Sequence, residues 1–174
     1  MRTLLLSVLT LAAIQTPGGR LTFDAPSSWH ARPAASSMRV AEFVIPRTAG
    51  DPEDAELIVY YFGSQGGGGM QANIDRWIGQ MQRPGGAPAK DDAKTGNRTI
   101  NGLEVSSVDV SGTYVAEVRP GASEHFNKPD FRLLAAVVET PRGPYYVKLT
   151  GPSRTVAAAV PAYEAFLGSL RFQQ

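Results

Sequence analysis

Apolar positions along the chain follow two rhythms, and residues 54–82 contain both. Residues 57–62 (Leu-Ile-Val-Tyr-Tyr-Phe) form an unbroken apolar run rich in β-branched and aromatic side chains, which predicts a strand covered on both faces. A glycine-rich turn follows. Beyond it, Met70, Ile74, Trp77, Ile78 and Met81 recur at helical spacing and predict an amphipathic helix with one apolar stripe. On this reading Asn73, Arg76 and Gln80 fall on the other side of that helix.

The same reading extends along the chain. Residues 21–23 predict a short first strand, and Trp29, isolated after a turn, predicts a core plug over one end of a sheet. Residues 38–45 form the next strand, stopped by Pro46. Residues 83–94 carry turn chemistry throughout and read as a long loop. Thr99 and Ile100 end a strand, Asn101-Gly102 is a strong hairpin dipeptide, and residues 103–110 return antiparallel. The ribbon continues over 113–118, with Gly112 marking a bulge or bend. Residues 119–130 form a second polar insertion. Residues 131–139 predict another strand buried on both faces, and Pro141-Arg142-Gly143 turns it into residues 145–149.

A last helix begins near Ser153, a plausible N-cap, and turns Val156, Ala159, Val160, Tyr163, Phe166, Leu167 and Leu170 inward. Pro161 inside it predicts a kink or a restart. Consecutive hairpins predict an antiparallel sheet, because parallel pairs need crossovers. Two amphipathic helices supply covers for strands apolar on both faces. The expected fold is therefore α+β: an antiparallel sheet flanked by helices on both faces, an α/β/α sandwich.

Composition narrows the function classes. At 174 residues one domain suffices, with a core large enough to need no staples. Residues 1–15 read as a signal peptide, with Arg2 as the charged region and an apolar run over 4–14, too short to span a bilayer. The mature domain is then 16–174, exported to the periplasm or the medium, without a transmembrane anchor. Loss of Arg2 takes the basic count from 17 to 16, against 16 acidic residues. A neutral surface with no basic block argues against nucleic acid as a partner. There is no cysteine, hence no disulfide, thiolate metal site, thiol nucleophile or N-terminal lipid attachment.

Few residues suggest chemistry. The glycine run 63–69 sits where a phosphate loop would, but no Lys-Ser or Lys-Thr follows, so the glycines read as a connection needing positive φ. Asp51, Glu53, Asp54 and Glu56 resemble a calcium loop, yet the sixth position is Glu56 rather than Gly and the twelfth is Phe62 rather than Glu. Ser123, Glu124 and His125 bring hydroxyl, carboxylate and imidazole together in sequence; a hydrolase built on Ser123 and His125 is the remote reading, since adjacency is not triad geometry. The polar set Asn73, Arg76 and Gln80, with Tyr60, Tyr61 and Gln65, edges a groove at the sheet's end. Aromatics with Arg are the residues interfaces favour. No cofactor or metal is expected.

Four segments carry a resemblance: Leu-Thr-Phe-Asp-Ala-Pro-Ser-Ser-Trp (21–29), Ala-Glu-Leu-Ile-Val-Tyr-Tyr-Phe-Gly (55–63), Asn-Ile-Asp-Arg-Trp-Ile-Gly-Gln (73–80) and Lys-Leu-Thr-Gly-Pro (148–152). Together they resemble small secreted bacterial proteins of the PsbP-like fold, over roughly residues 21–172. That fold also holds the extrinsic oxygen-evolution protein of photosystem II and the Ran-binding Mog-type import factor. The resemblance implies an antiparallel sheet between helices. It implies docking or assembly rather than catalysis, and it carries over no functional residue. The expected function is a non-enzymatic binding or assembly module of the cell envelope with a protein partner. The alternative is a carrier of a small or lipid-like ligand, with a pocket between helix and sheet.

Overall fold

The computed structural model describes residues 20–64 and 66–173; the expected signal peptide and Gln65 lie outside the described residues. Strands β1 (Arg20–Thr22), β2 (His30–Arg32), β3 (Arg39–Ile45) and β4 (Ala55–Tyr61) come first, then helix α1 (Met70–Gly79) and β5 (Met81–Gln82). A short 3₁₀ turn (Lys90–Asp92) precedes β6 (Lys94–Ile100), β7 (Leu103–Tyr114), β8 (Lys128–Val138) and β9 (Tyr145–Pro152). Helix α2 (Ser153–Gly168) and β10 (Arg171–Gln173) close the chain. The main sheet is antiparallel in the order β2-β3-β4-β9-β8-β7, with β5 and β6 pairing different parts of β7. β1 and β10 form a separate two-stranded sheet that joins the two ends of the described chain.

The central strands are apolar on both faces because both are packed. On β8, Leu134, Ala136 and Val138 join an apolar cluster with Val156, Tyr163, Phe166 and Leu167 of α2. The intervening Leu133, Ala135 and Val137 join a second cluster with Ile74, Trp77 and Ile78 of α1. Trp29 is the expected plug: it is buried and packs on Phe43 and Phe166. The hairpin turn at Asn101-Gly102 has positive φ at both residues, as that dipeptide requires. Gly112 sits at the register shift between β7 and β8, where a Cβ would lie 2.2 Å from the Gln82 carbonyl oxygen.

Several expectations need correction. α1 ends at Gly79, so Met81 belongs to β5, and Met70 is exposed rather than part of the buried stripe. Asn73 is buried, not on the solvent side. The loop after β5 is folded: Arg83 grips Asp92 through two hydrogen bonds of 2.5 and 2.9 Å, and Ala89 is buried. α2 neither restarts nor breaks at Pro161, which sits on the exposed face; there water can serve the carbonyl one turn earlier that proline leaves without a donor.

Nor does Ser153 cap α2, whose N-terminus shows no side-chain cap from its own first residues. Asp51, far away in sequence, takes that role: its carboxylate accepts from the Thr155 N–H at 2.9 Å and the Thr155 hydroxyl at 2.6 Å. The Thr155 oxygen in turn accepts from the Thr48 N–H at 3.0 Å. The Thr155 hydroxyl first, then the Arg154 guanidinium and the Thr155 N–H, hold the Asp51 carboxyl below its ordinary pKa. That stability is present above the ordinary aspartate range and fades as pH falls through the lowered value. Thr155→Val keeps the shape and removes both side-chain bonds; it should cost about 2 kcal/mol in urea unfolding near neutral pH. The deficit should shrink in acid, where Asp51 protonates in both proteins.

Candidate functional site

Side chains alternate along a strand, so Tyr60 and Tyr61 point to opposite faces and cannot edge one groove. Tyr61 stacks on Tyr145 at 4.5 Å and donates to the Arg142 carbonyl at 2.6 Å, joining the cluster that packs α2. Tyr60 pairs across the ladder with Tyr146, one step from the Ile58–Lys148 pair, on the face shared with α1. Of the expected site residues, that face brings together Tyr60, Asn73, Arg76 and Gln80 and leaves out Tyr61.

The glycine turn and Asn73 form a clamp. The Asn73 amide donates to the Gly67 and Gly69 carbonyls at 2.7 and 2.9 Å, and its oxygen accepts from the Arg76 guanidinium. The Tyr146 hydroxyl donates to the Gly68 carbonyl at 2.9 Å. A Cβ on Gly67, whose φ is +85°, would lie 2.5 Å from the Tyr146 oxygen. The glycines thus bring backbone against Tyr146, and Asn73 holds Arg76 rather than facing a ligand.

The centre of the face is Lys148, which the sequence reading missed. Its ammonium donates to Gln80 Oε1 at 2.6 Å and to the Tyr114 hydroxyl at 3.1 Å, and lies 5.1 Å from the Tyr114 ring centroid. Burial, reinforced by the positive charge of Arg76 and partly opposed by Glu56, pulls its pKa down to about 7. Burial pushes Tyr114 up to about 12, and pushes Tyr60 up against the opposing charge of Arg39. A lysine inside the otherwise apolar run 145–149 was the available signal. Around it, Tyr60 stacks parallel to Phe62 at 5.8 Å, and the Arg39 guanidinium lies 5.7 Å from the Tyr60 ring centroid. Tyr60 and Phe62 are partly buried, with part of each open to solvent, and Arg76 is exposed.

The other candidates resolve differently. His125 Nδ1 lies 3.1 Å from the Ser123 carbonyl oxygen, not its hydroxyl, and both residues are exposed. The four acids of residues 51–56 go to separate partners: Asp51 to Thr155 and Arg154, Glu53 to Lys128, Asp54 to the Arg47 N–H, and Glu56 to Arg32. The space between α1 and the sheet is filled by Ile74, Trp77, Ile78 and Met81 packed on Val108, Val110, Phe131 and Leu133. A cleft of about 450 Å³ opens instead at the rim, between α1 and the loop after β5, lined by Asp75, Ile78, Met81, Pro88, Ala89 and Lys90. No described helix is long and apolar enough to cross a membrane.

The sheet order and its two helices define a PsbP-like α+β fold. Among solved structures, the chain is similar to CyanoP, the cyanobacterial PsbP of Synechocystis sp. PCC 6803, with a TM-score of 0.52 at 14% identity over 95% of each chain. It is similar to LpqN of Mycobacterium tuberculosis, described as involved in cell envelope biogenesis, with a TM-score of 0.58 at 10% identity, covering 91% of this chain and 86% of LpqN. A protein of unknown function from Pseudomonas aeruginosa, PA94, aligns with a TM-score of 0.50 at 15% identity, over 90% of this chain and 99% of its own. At these identities the likeness is one of fold. No protein-family profile matches the chain, and neither does any curated sequence.

Proposed function

We propose that this protein is a non-catalytic binding or assembly module of the cell envelope, exported with residues 1–15 removed, that docks a protein partner on the Tyr60–Arg76 face. The observation that carries this reading is the partly open Tyr60–Phe62 stack with Arg39 on the Tyr60 ring and, on the same face, an exposed Arg76 held by Asn73. Stacked aromatics beside pre-positioned arginines are the anchors that dominate interface energies, because little side-chain entropy remains to be lost on binding. A neutral overall charge favours a protein over a polyanion. LpqN, of similar fold, is described as acting in envelope biogenesis, which fits the apolar leader pattern. An α/β/α layering belongs to the same reading; the division of β8 between two clusters, one with each helix, supports it.

Tyr60→Ala combined with Arg76→Ala should weaken the partner at least about tenfold, measured at a temperature where circular dichroism shows the variant folded, because loss of the packed Tyr60 ring also lowers the thermal midpoint. Unchanged affinity with an intact fold would remove the assignment. The carrier reading has one observation of its own, the 450 Å³ rim cleft, which is within the size range of ligand pockets. Native mass spectrometry of the protein purified from its own cells decides between them: a bound small molecule without a partner favours the carrier.

A further inference from the structure

Strand β6 ends the sheet with an open edge. Among the described residues it pairs with β7 alone, and six of its seven residues are exposed. Its outer N–H and C=O groups form a template for another strand. The opposite edge, β2, is only three residues long.

Gly96 stands in the middle of β6 without an internal reason. Its backbone is not in the left-handed region, and a Cβ there would meet Ser107 Oγ at 3.7 Å, an ordinary contact. Glycine weakens a strand interior, and where neither φ nor packing demands it, close approach from outside is the remaining role. Gly96 lies at the lip of a groove of about 230 Å³ between the sheet and α2. Its lining includes Lys94, Ser107, Asp109, Arg132 and Tyr163, whose buried hydroxyl has no hydrogen-bond partner. The acids nearby are engaged: Asp109 by two bonds from Arg132 at 2.8 and 2.7 Å, and Glu164 by Arg98 at 2.6 Å. Lys94 has no carboxylate at ion-pairing distance among the described residues.

We propose that the outer edge of β6 takes an extended peptide of a partner protein as an added strand, with an acidic side chain passing over Gly96 into the groove beside Lys94. In an added strand the residue opposite Gly96 projects to the same face, so the absent side chain is what opens the way. A second copy of this chain supplies no acid there: symmetric pairing about Asn97 would set Arg98, already engaged by Glu164, opposite Gly96 and Ile100 opposite Lys94. The surface lies four strands from Tyr60 in the sheet order and stands or falls separately from the docking face above.

The test is a ¹⁵N NMR titration of the protein with a capped heptapeptide, Thr-Val-Thr-Glu-Thr-Val-Thr, and its counterparts with Ala or Lys at the centre. Shift changes should concentrate at residues 94–100, Ser107 and Arg132, with the Glu peptide about fivefold tighter than the Ala peptide. Gly96→Val should keep or raise the thermal midpoint, since Val suits a strand, yet weaken the peptide at least about tenfold. Lys94→Glu should reverse the preference between the Glu and Lys peptides. Binding that survives Gly96→Val, shifts mapping elsewhere, or no titration by any of the three would overturn the proposal. So would self-association of the protein that Gly96→Val abolishes, which would make a second copy the occupant.

Discussion

Phe166→Ala should destabilise the protein by about 4 kcal/mol, the largest effect expected of a single truncation here. Phe166 is completely buried, and its ring centroid lies 4.9 Å from Phe23, 5.5 Å from Trp29 and 6.3 Å from Phe43. These rings come from the segment after β1, the turn before β2, and β3, so one side chain of α2 ties a helix near the end of the described chain to three segments near its start. Truncation loses both the transfer free energy of the ring and its dispersion contacts, because neighbours held in strands cannot collapse into the space. Near-ultraviolet circular dichroism should report loosening around Trp29, and urea unfolding the loss of stability. Phe166→Leu, which refills much of the volume, should cost about 1 kcal/mol. A Phe166→Ala penalty no larger than that would mean the ring cluster is not a unit.

Lys148→Met should act in the opposite direction, raising stability by about 2 kcal/mol at pH 6. The folded pKa of Lys148 is depressed to about 7 from an ordinary 10.5, so between those values the unfolded chain binds more protons than the folded one. Stability of the natural protein should therefore rise with pH across that window. It should fall again above the ordinary tyrosine value near 10, because Tyr114 keeps its proton to about 12 only when folded. Methionine preserves the chain's reach under α1 and removes the charge, so the rise from pH 7 to 10 should flatten while the alkaline fall remains. Equal slopes in the two proteins would show that the Lys148 ammonium is well solvated in the fold.

Much of the architecture was legible because it rests on local pattern. The two-sided apolar runs in β4 and β8 and the Asn101-Gly102 turn carry their structural reason in adjacent residues, whereas Gly112 was legible only as a break in a strand pattern and owes its place to the distant Gln82 carbonyl. β6 escaped beyond its last two residues because an exposed edge strand has no buried face to impose alternation. The β1–β10 pair escaped because each strand is three residues long and its partner lies at the other end of the chain. Asp51 as the cap of α2 has the same cause: a long-range contact leaves no periodic trace.

The candidate site was half legible. Helical spacing put Arg76 on the exposed side, where it lies. It put Asn73 there too, although its amide is spent on the Gly67 and Gly69 carbonyls, and Gln80, which lies past the end of α1 and accepts from Lys148 of the sheet. Grouping Tyr60 with Tyr61 overlooked strand alternation, which was readable once residues 57–62 were taken as a strand. Lys148 was missed because it stands in an apolar run, and only the register of β9 against β4 shows where its ammonium lies.

Photo-crosslinking inside intact cells tests whether the Tyr60–Arg76 face docks a protein, with benzoylphenylalanine installed in place of Tyr60 and, as a control, in place of the exposed Lys90. A discrete adduct with one envelope protein is expected from position 60, lost when Arg76→Ala is added, and none from position 90. Equal labelling from both positions, or none from position 60 with the folded protein in the envelope, would contradict docking on that face.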